Sequence, residues 1–341
     1  MTYRFTRKPS DFATRPYDFT TISGYLQRIF QFRDITGCTL RPVFLLIYLC
    51  SGFNPKCNVI LVVMKFENAN VLITGGASGI GKIMGRMALE KGAKCFIIWD
   101  INLAGIEATR KELSKYGEVK GYVVDVANND IVTKAYEKTV QDCGYVDILI
   151  NCAGIITSNK TFDQQTEEEI VRTMSINTLA PMFVTRAMLP DMLKRNRGHI
   201  CNITSAGGML SNPKMSVYAA SKWAAIGWSD SVRIELQDMK SDVHVTTVTP
   251  YYINTGMFDG VKSRFIPIMK PEYVSRKIIR AIEKNTMFRG IPFGLHFIRF
   301  WQTVLPIRVF DFFFGEVIGI YHTMDNFTGR KISHKSEAKA S

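Results

Sequence analysis

From residue 71 onward, short apolar runs alternate with longer amphipathic stretches, and this alternation restricts the fold more than any other feature of the chain. The runs at 71–74, 94–99, 119–124, 146–150, 199–204 and 243–249 have the length and composition of strands. Stretches between them, such as 80–91 and 104–116, repeat their apolar residues at helical spacing. Strands separated by helices pair in parallel, because a parallel partner is reached only by a crossover long enough to hold a helix. Crossovers of one hand then cover both faces of the sheet. The expected fold class is α/β, a doubly wound parallel sheet of Rossmann type. It forms a single domain over 66–290, with extensions over 1–65 and 291–341.

In an open parallel sheet, ligands bind beyond the carboxyl ends of the strands, so the residues that follow each run carry the functional reading. The first run leads into Thr74-Gly75-Gly76-Ala77-Ser78-Gly79-Ile80-Gly81, which opens a helix. Glycines let the backbone turn tightly and approach a pyrophosphate, and the helix start offers free N–H groups and a positive dipole end. Asp100, after the second run, stands where a carboxylate accepts hydrogen bonds from the adenosine ribose of a dinucleotide. Such a carboxylate repels a 2′-phosphate and favours NAD over NADP, although Lys82 and Arg86 nearby keep NADP open. A polar turn residue is the plainer reading of Asp100. Asp125 ends the third run and Asn151-Cys152-Ala153-Gly154 ends the fourth; each is turn chemistry when read alone.

The strongest single feature is Tyr218-Ala219-Ala220-Ser221-Lys222, with Ser205 ahead of it at the end of the fifth run. Tyr218 and Lys222, four positions apart, share one helical face, so an ammonium can sit beside a phenol and favour its phenolate. The pair can then exchange a proton with a substrate oxygen that Ser205 holds by a hydrogen bond. Thr204 offers a competing hydroxyl, but strand alternation points it to the opposite face. A buried tyrosine with a snorkelling lysine is the alternative that needs no function.

Taken together, these motifs resemble the short-chain dehydrogenases/reductases of the simple type over 66–284. The resemblance rests on TGGASGIG at 74–81, Asp125, NCAG at 151–154, Asn177, Ser205 and YAASK at 218–222, in matching order and spacing. The three-residue gap between Gly75 and Gly79 is similar to the simple type rather than to the extended epimerases and dehydratases. The resemblance implies a catalytic domain that moves a hydride between NAD, or NADP, and an alcohol/carbonyl pair. It implies that Gly75, Ser78, Gly79, Ile80 and Gly81 hold the diphosphate, Asp100 the ribose, and Asp125 with Val126 the adenine. Asn151, Ala153 and Gly154 would flank the cofactor, and Pro250, Ile253 and Thr255 would close on it. Tyr218 would be the acid/base, Ser205 would position the substrate, and Lys222 would also bind the nicotinamide ribose. Asn177 would support a water leading protons to Lys222; read alone, it merely interrupts a helix. Tyr251 departs from the family by replacing a glycine, which affects the substrate entrance more than the cofactor. Cys152 replaces a commoner asparagine and reads as packing. A homo-oligomer, dimer or tetramer, is also implied.

Segments expected to frame the pocket are apolar: Ile155 and Ile156, Met209 and Leu210, Met257 and Phe258, and 265–269. They suit a lipophilic alcohol or ketone of retinoid, steroid or fatty-chain type, or else form a lid that packs on itself. The stretch 291–321 carries Phe293, Phe297, Phe300, Trp301, Phe310, Phe312, Phe313 and Phe314 with Arg299 and Arg308 between them. It reads as a peripheral membrane contact, a cover over the pocket or a subunit contact; its charges and Pro306 argue against a spanning helix. With Tyr251, Tyr252 and 255–258, it is similar to the retinol- and hydroxysteroid-dehydrogenase-like branch.

Residues 1–65 lack helical periodicity and hold apolar runs at 42–50 and 59–64. Both runs fall short of the roughly 20 residues a spanning helix needs, and they begin too far in for a secretory signal. They read as a membrane-dipping anchor or, preferably, as an extension ahead of a domain that opens at Met64. Lys and Arg exceed Asp and Glu by 43 to 30, a net +13, much of it at the two ends. Solvated ends account for the excess more readily than an anionic membrane, and no motif supports nucleic acid as a partner. The seven cysteines show no paired spacing, so no metal is expected. Cys95, Cys152 and Cys201, within apolar runs, read as reduced core residues of a cytoplasmic protein, membrane-associated at most on the cytoplasmic side. The competing function is a catalytically silent dinucleotide-binding scaffold or sensor, against which Ser205, Tyr218 and Lys222 argue by being intact.

Overall fold

The computed structural model describes residues 64–329. The run at 42–50, nearly all of that at 59–64, Cys38, Cys50, Cys57 and the basic tail from Arg330 lie outside the described residues. Seven parallel strands form one sheet in the order β3-β2-β1-β4-β5-β6-β7. They are β1 (Asn70–Thr74), β2 (Cys95–Asp100), β3 (Glu118–Val123), β4 (Ile148–Asn151), β5 (Gly198–Ile203), β6 (Val243–Pro250) and β7 (Phe288–Ile291). The anticipated strands lie within a residue or two of their expected ends.

Burial on both sides explains why these strands read as continuous apolar runs rather than alternating ones. In β1, Val71 and Ile73 join one apolar cluster with Met84, Phe96 and Ile98. Leu72 faces the other cluster, with Ile97, Trp99 and Leu149. Helices α1 (Gly79–Glu90), α2 (Leu103–Leu113) and α3 (Asn129–Cys143) follow β1, β2 and β3. The Asn102 side chain caps α2 by accepting from the Gly105 N–H, and Asn128 caps α3 through the N–H groups of Asp130 and Ile131. Because β1 pairs with both β2 and β4, the chain reverses its direction of winding between them. A crevice opens there, beyond the carboxyl ends of β1 and β4.

After β4 comes one long helical segment: α4 (Glu167–Met174), a π-helical turn (Ser175–Leu179), and α5 (Ala180–Arg195). The interruption expected around Asn177 is this π turn, a local widening found often at functional sites. Helix α6 (Ser216–Asp238) carries Tyr218 and Lys222, and α7 (Pro271–Glu283) links β6 to β7. β7 was not expected. Its four residues, with Arg289 and Gly290 at their centre, lack an apolar run, and pairing with β6 from Thr247 to Pro250 makes them a strand.

The chain then runs through α8 (Ile298–Val304), α9 (Ile307–Phe310), a π-helical stretch (Asp311–Val317) and a 3-10 turn (Ile320–His322). This segment buries Leu295, Ile298, Phe310, Ile320 and Met324 in the same cluster as Met215 and Tyr252. Its other face leaves Phe293, Phe297, Phe300, Ile307 and Phe312 exposed. Among the described residues, no helix is long and apolar enough to cross a membrane.

Candidate active site

The crevice at the reversal point has a volume of about 910 Å³. The glycine turn, Asp100, Asp125, Val126, Ala153, Gly154 and Thr255 line it together, and Ser78, Ile80, Ile155 and Met257 complete its wall. Gly81 is required where it stands, since a Cβ there would run into the carbonyl oxygen of Gly75. The Asp100 carboxylate accepts the backbone N–H of Ala77 at 3.1 Å and of Asn102 at 3.0 Å. These bonds fix an acidic group at the crevice and tie it to the glycine turn. Asp125 accepts the Ala127 N–H at 3.0 Å, shaping the turn that presents Val126.

Thr74 has a role that the sequence reading missed. Its Oγ1 accepts the N–H groups of Cys152 at 3.0 Å and Ala153 at 3.1 Å, so the last residue of β1 holds the turn that ends β4. Asn151 does not line the crevice. Its amide donates inward to Asn202 Oδ1 at 2.8 Å and Thr185 Oγ1 at 3.1 Å, starting a buried chain that continues through Ser229 to Thr247. Asn177 is also held behind the wall: it accepts the Ile155 N–H at 2.9 Å and donates to Ile155 O at 2.9 Å and Ser221 Oγ at 3.1 Å.

A second space, of about 580 Å³, shares Ile80, Ile155, Thr255 and Met257 with the crevice and adds Ser205, Tyr218, Lys222, Pro250 and Ile253. Ser205 and Tyr218 also border a further, smaller cavity, walled by Leu210, Met215, Tyr251, Tyr252, Phe258 and Ile320. The reacting hydroxyls therefore stand between the space that adjoins the crevice and an apolar cavity. Thr204 also borders the second space, but its hydroxyl is turned away, donating to Val248 O at 2.7 Å.

Burial pushes the Tyr218 phenol up to about 12, while the Ser205 hydroxyl beside it pulls the other way. Burial also pushes the Lys222 ammonium down to about 8. Lys222 Nζ lies 5.8 Å from the centre of the Tyr218 ring and donates to Ile203 O at 3.4 Å. The expectation that Lys222 favours the phenolate thus meets a larger opposing effect, the desolvation of a phenol with 7% of its surface exposed. Burial likewise raises the Cys152 thiol to about 12 and keeps it protonated where it borders both spaces.

The apolar segments divide. Leu210 and Phe258 wall the cavity, whereas Met209 is buried behind it and Phe265 and Ile268 face outward. Tyr251, in place of a glycine, continues the strand ladder by donating its N–H to Ile291 O at 2.8 Å. Its hydroxyl pairs with Ser263 at 3.1 Å.

A doubly wound sheet with a glycine turn and an acidic side chain at its crevice, and Ser205, Tyr218 and Lys222 together in the adjoining space, is the arrangement of a nicotinamide-dependent oxidoreductase. The family model for short chain dehydrogenase matches residues 69–264, and the chain belongs to that family. Similar proteins include epidermal retinol dehydrogenase 2 of Mus musculus, 33% identical over 76% of this chain and 85% of its own. Estradiol 17-beta-dehydrogenase 11 of Homo sapiens is 32% identical over 70% of this chain and 79% of its own. The crystal structure of levodione reductase shares the fold, with a TM-score of 0.60 and 22% identity over 67% of this chain and 98% of that one. The protein is an NAD(P)-dependent oxidoreductase of this family, acting on an alcohol/carbonyl pair.

Proposed function

We propose that the enzyme interconverts a lipophilic alcohol, of retinoid, steroid or fatty-chain type, and its carbonyl, with NAD as the preferred cofactor. The observation that carries this reading is that Ser205 and Tyr218 border both the second space, which adjoins the crevice, and a cavity otherwise walled mainly by apolar and aromatic side chains. The names of the retinol and estradiol dehydrogenases it resembles point to the same substrate class. Gly75, Ser78, Gly79, Ile80 and Gly81 would hold the diphosphate, Asp100 the ribose, and Asp125 with Val126 the adenine. Ala153, Gly154, Pro250, Ile253 and Thr255 would bound the nicotinamide half, with Asn151 supporting that wall from behind. A bound nicotinamide supplies or accepts the hydride. Ser205 orients the substrate oxygen by a hydrogen bond, Tyr218 takes or gives its proton, and Lys222 stabilises the charge left on the phenol. Asn177 fixes the backbone of Ile155 on the same wall.

The NAD preference is supported by Asp100 lining the crevice, where it would meet the ribose, while the nearby cations are engaged elsewhere. Lys82 pairs with Glu112 at 2.7 Å, and Arg86 lies 3.8 Å from Glu90. The exposed aromatic face of 291–317, flanked by Arg299 and Arg308, suits contact with the cytoplasmic surface of a membrane, from which such substrates are drawn. Replacing Phe293, Ile307 and Phe312 by Asp in the full chain should abolish its sedimentation with anionic vesicles; unchanged sedimentation removes this face from the reading. A homo-oligomer belongs to the same reading, and sedimentation velocity of the full chain tests it.

The deciding experiment offers NAD and NADP with retinoid, steroid, fatty and short polar alcohols, followed by the carbonyls with reduced cofactor. Turnover confined to lipophilic compounds supports the proposal. Preference for short polar alcohols overturns the substrate class, and silence in both directions despite cofactor binding favours a binding protein.

A further inference from the structure

We propose that Ile320 sets the size of substrate this enzyme accepts, and that Asn212, Tyr252 and Thr323 are positioning residues that hold it against the cavity. The inference rests on the oxidoreductase reading of Ser205 and Tyr218. Among the described residues after β7, Ile320 alone walls the cavity that those hydroxyls border. The rest of that wall comes from the loops after β5 and β6 and from α6, elements that also build the reacting centre. Ile320 arrives from a separate segment, so its position can vary without moving Ser205, Tyr218 or Lys222.

A closed polar network fixes it there. Asn212, from the loop after β5, donates through Nδ2 to the Tyr252 hydroxyl at 3.1 Å and to Thr323 Oγ1 at 3.0 Å. The hydroxyls of Tyr252 and Thr323 lie 3.0 Å apart. Thr323 gives its own proton to Ile320 O at 2.9 Å, so Tyr252 must be the donor between the two hydroxyls. The Thr323 hydroxyl therefore both closes the turn carrying Ile320 and ties that turn to two loops of the catalytic domain. Tyr252 and Thr323 are buried, so their hydroxyls have little water to fall back on if the network is cut. Further bonds hold the same stretch: Asn159 Nδ2 donates to Met324 O at 2.9 Å, and the Lys262 N–H donates to Thr323 O at 3.2 Å. Phe258 packs edge-on against Tyr252, with ring centres 5.0 Å apart, and against Tyr218 at 6.1 Å. The network thus lies one aromatic ring away from the reacting phenol.

A substrate whose oxygen is held by Ser205 and Tyr218 extends into this cavity, and its bulk is limited by a side chain the reaction does not need. Full-length protein would be assayed with alcohols of rising length and with bulky ring alcohols. Ile320→Ala should shift kcat/KM toward the larger compounds and Ile320→Phe toward the smaller. Each shift should be roughly tenfold relative to a short alcohol, the scale that one or two methylenes of space carry in an apolar pocket. Opposite directions in two variants of one position cannot come from general loss of fold. Thr323→Val should raise KM for large alcohols while leaving kcat for the short one, and Thr323→Ser should restore it. Affinity of the same alcohols for the protein with NADH, read by fluorescence, follows the wall independently of turnover. Lack of turnover in the unaltered protein, with affinities that still follow Ile320, overturns the oxidoreductase reading and leaves the wall. Both Ile320 variants moving every substrate alike, in turnover and in affinity, overturns the proposal.

Discussion

Asn177 and Lys222 converge on Gly154: a side-chain carbon built there would lie 3.3 Å from Asn177 Oδ1 and 3.4 Å from Lys222 Nζ. Asn177 cannot yield easily, because it is bonded to both backbone groups of Ile155 and to Ser221. Lys222 is held at its end by a long bond to Ile203 O and by the Tyr218 ring, so the ammonium would move. Gly154→Ala should therefore lower kcat by about 10-fold to 100-fold, the cost of a small misplacement at a reacting centre. The thermal midpoint should change little. A variant with unaltered kcat would mean that the ammonium's position does not matter to the reaction.

Tyr218→Phe removes the proton carrier and little else, since the ring still packs against Phe258. Turnover should fall by roughly 10²–10⁴-fold, the usual contribution of a positioned acid/base, while the cofactor dissociation constant stays within a few-fold. Loss of both would make Tyr218 structural.

The same phenol fixes the sign of the pH dependence. Oxidation of an alcohol requires Tyr218 to accept a proton, and burial holds it protonated up to about 12. Alcohol oxidation should then rise with pH through the neutral range, and carbonyl reduction should fall or stay level. Initial rates in both directions from pH 6 to 9 test this, and an oxidation rate that falls with pH in that range would remove Tyr218 as proton acceptor.

Much of this site was legible because each motif sits at a fixed offset from a strand end. The glycine turn follows β1, Asp100 ends β2, Ser205 follows β5, and Tyr218 and Lys222 share a helical face. What was not legible depends on contacts between distant segments. Nothing local distinguishes Thr74 as the residue that holds the Cys152–Ala153 turn, or Asn202 as the partner that draws Asn151 inward. β7 is a strand only because β6 offers an edge, and its Arg289 and Gly290 conceal it. The aromatic stretch after 291 was readable as amphipathic, but only burial of Leu295, Ile298, Phe310 and Ile320 decides which face meets the core. Phe265 and Ile268 misled for the converse reason, since apolar residues in a loop can face water.

Asp100→Ala should relax cofactor choice toward NADP. Removing a carboxylate near a bound 2′-phosphate relieves about 1–4 kcal/mol of repulsion at contact distance, which is about fivefold or more in relative affinity. Adding Glu112→Ala should enlarge the shift, because it frees Lys82 from its pairing at 2.7 Å. Titrations of both cofactors against each variant measure it. An unchanged ratio in the single variant would remove Asp100 from the ribose role.

Acid sensitivity should trace in part to His199, buried near the start of β5, at the opposite end of that strand from Ser205. Its Nε2 pairs with Thr246 Oγ1 at 2.9 Å, and the His244 ring lies 6.2 Å away. Burial first, and then the neighbouring His244, pushes His199 from the ordinary 6.5 down to about 3. Above 6.5 the imidazole is neutral in the folded and unfolded chains alike, and it contributes no slope. Between 6.5 and about 3 the unfolded chain takes up a proton that the folded one refuses, so stability falls as pH falls through that window. One such proton is worth about 1.4 kcal/mol per pH unit. His199→Gln should reduce the slope of unfolding free energy against pH, measured in urea from pH 6 to 4, by close to that amount. Some slope should survive, because burial also holds His244 below its ordinary value. Comparing slopes rather than absolute stabilities separates this effect from any packing cost of the substitution, and equal slopes in the two proteins would show that His199 is protonated in the folded state.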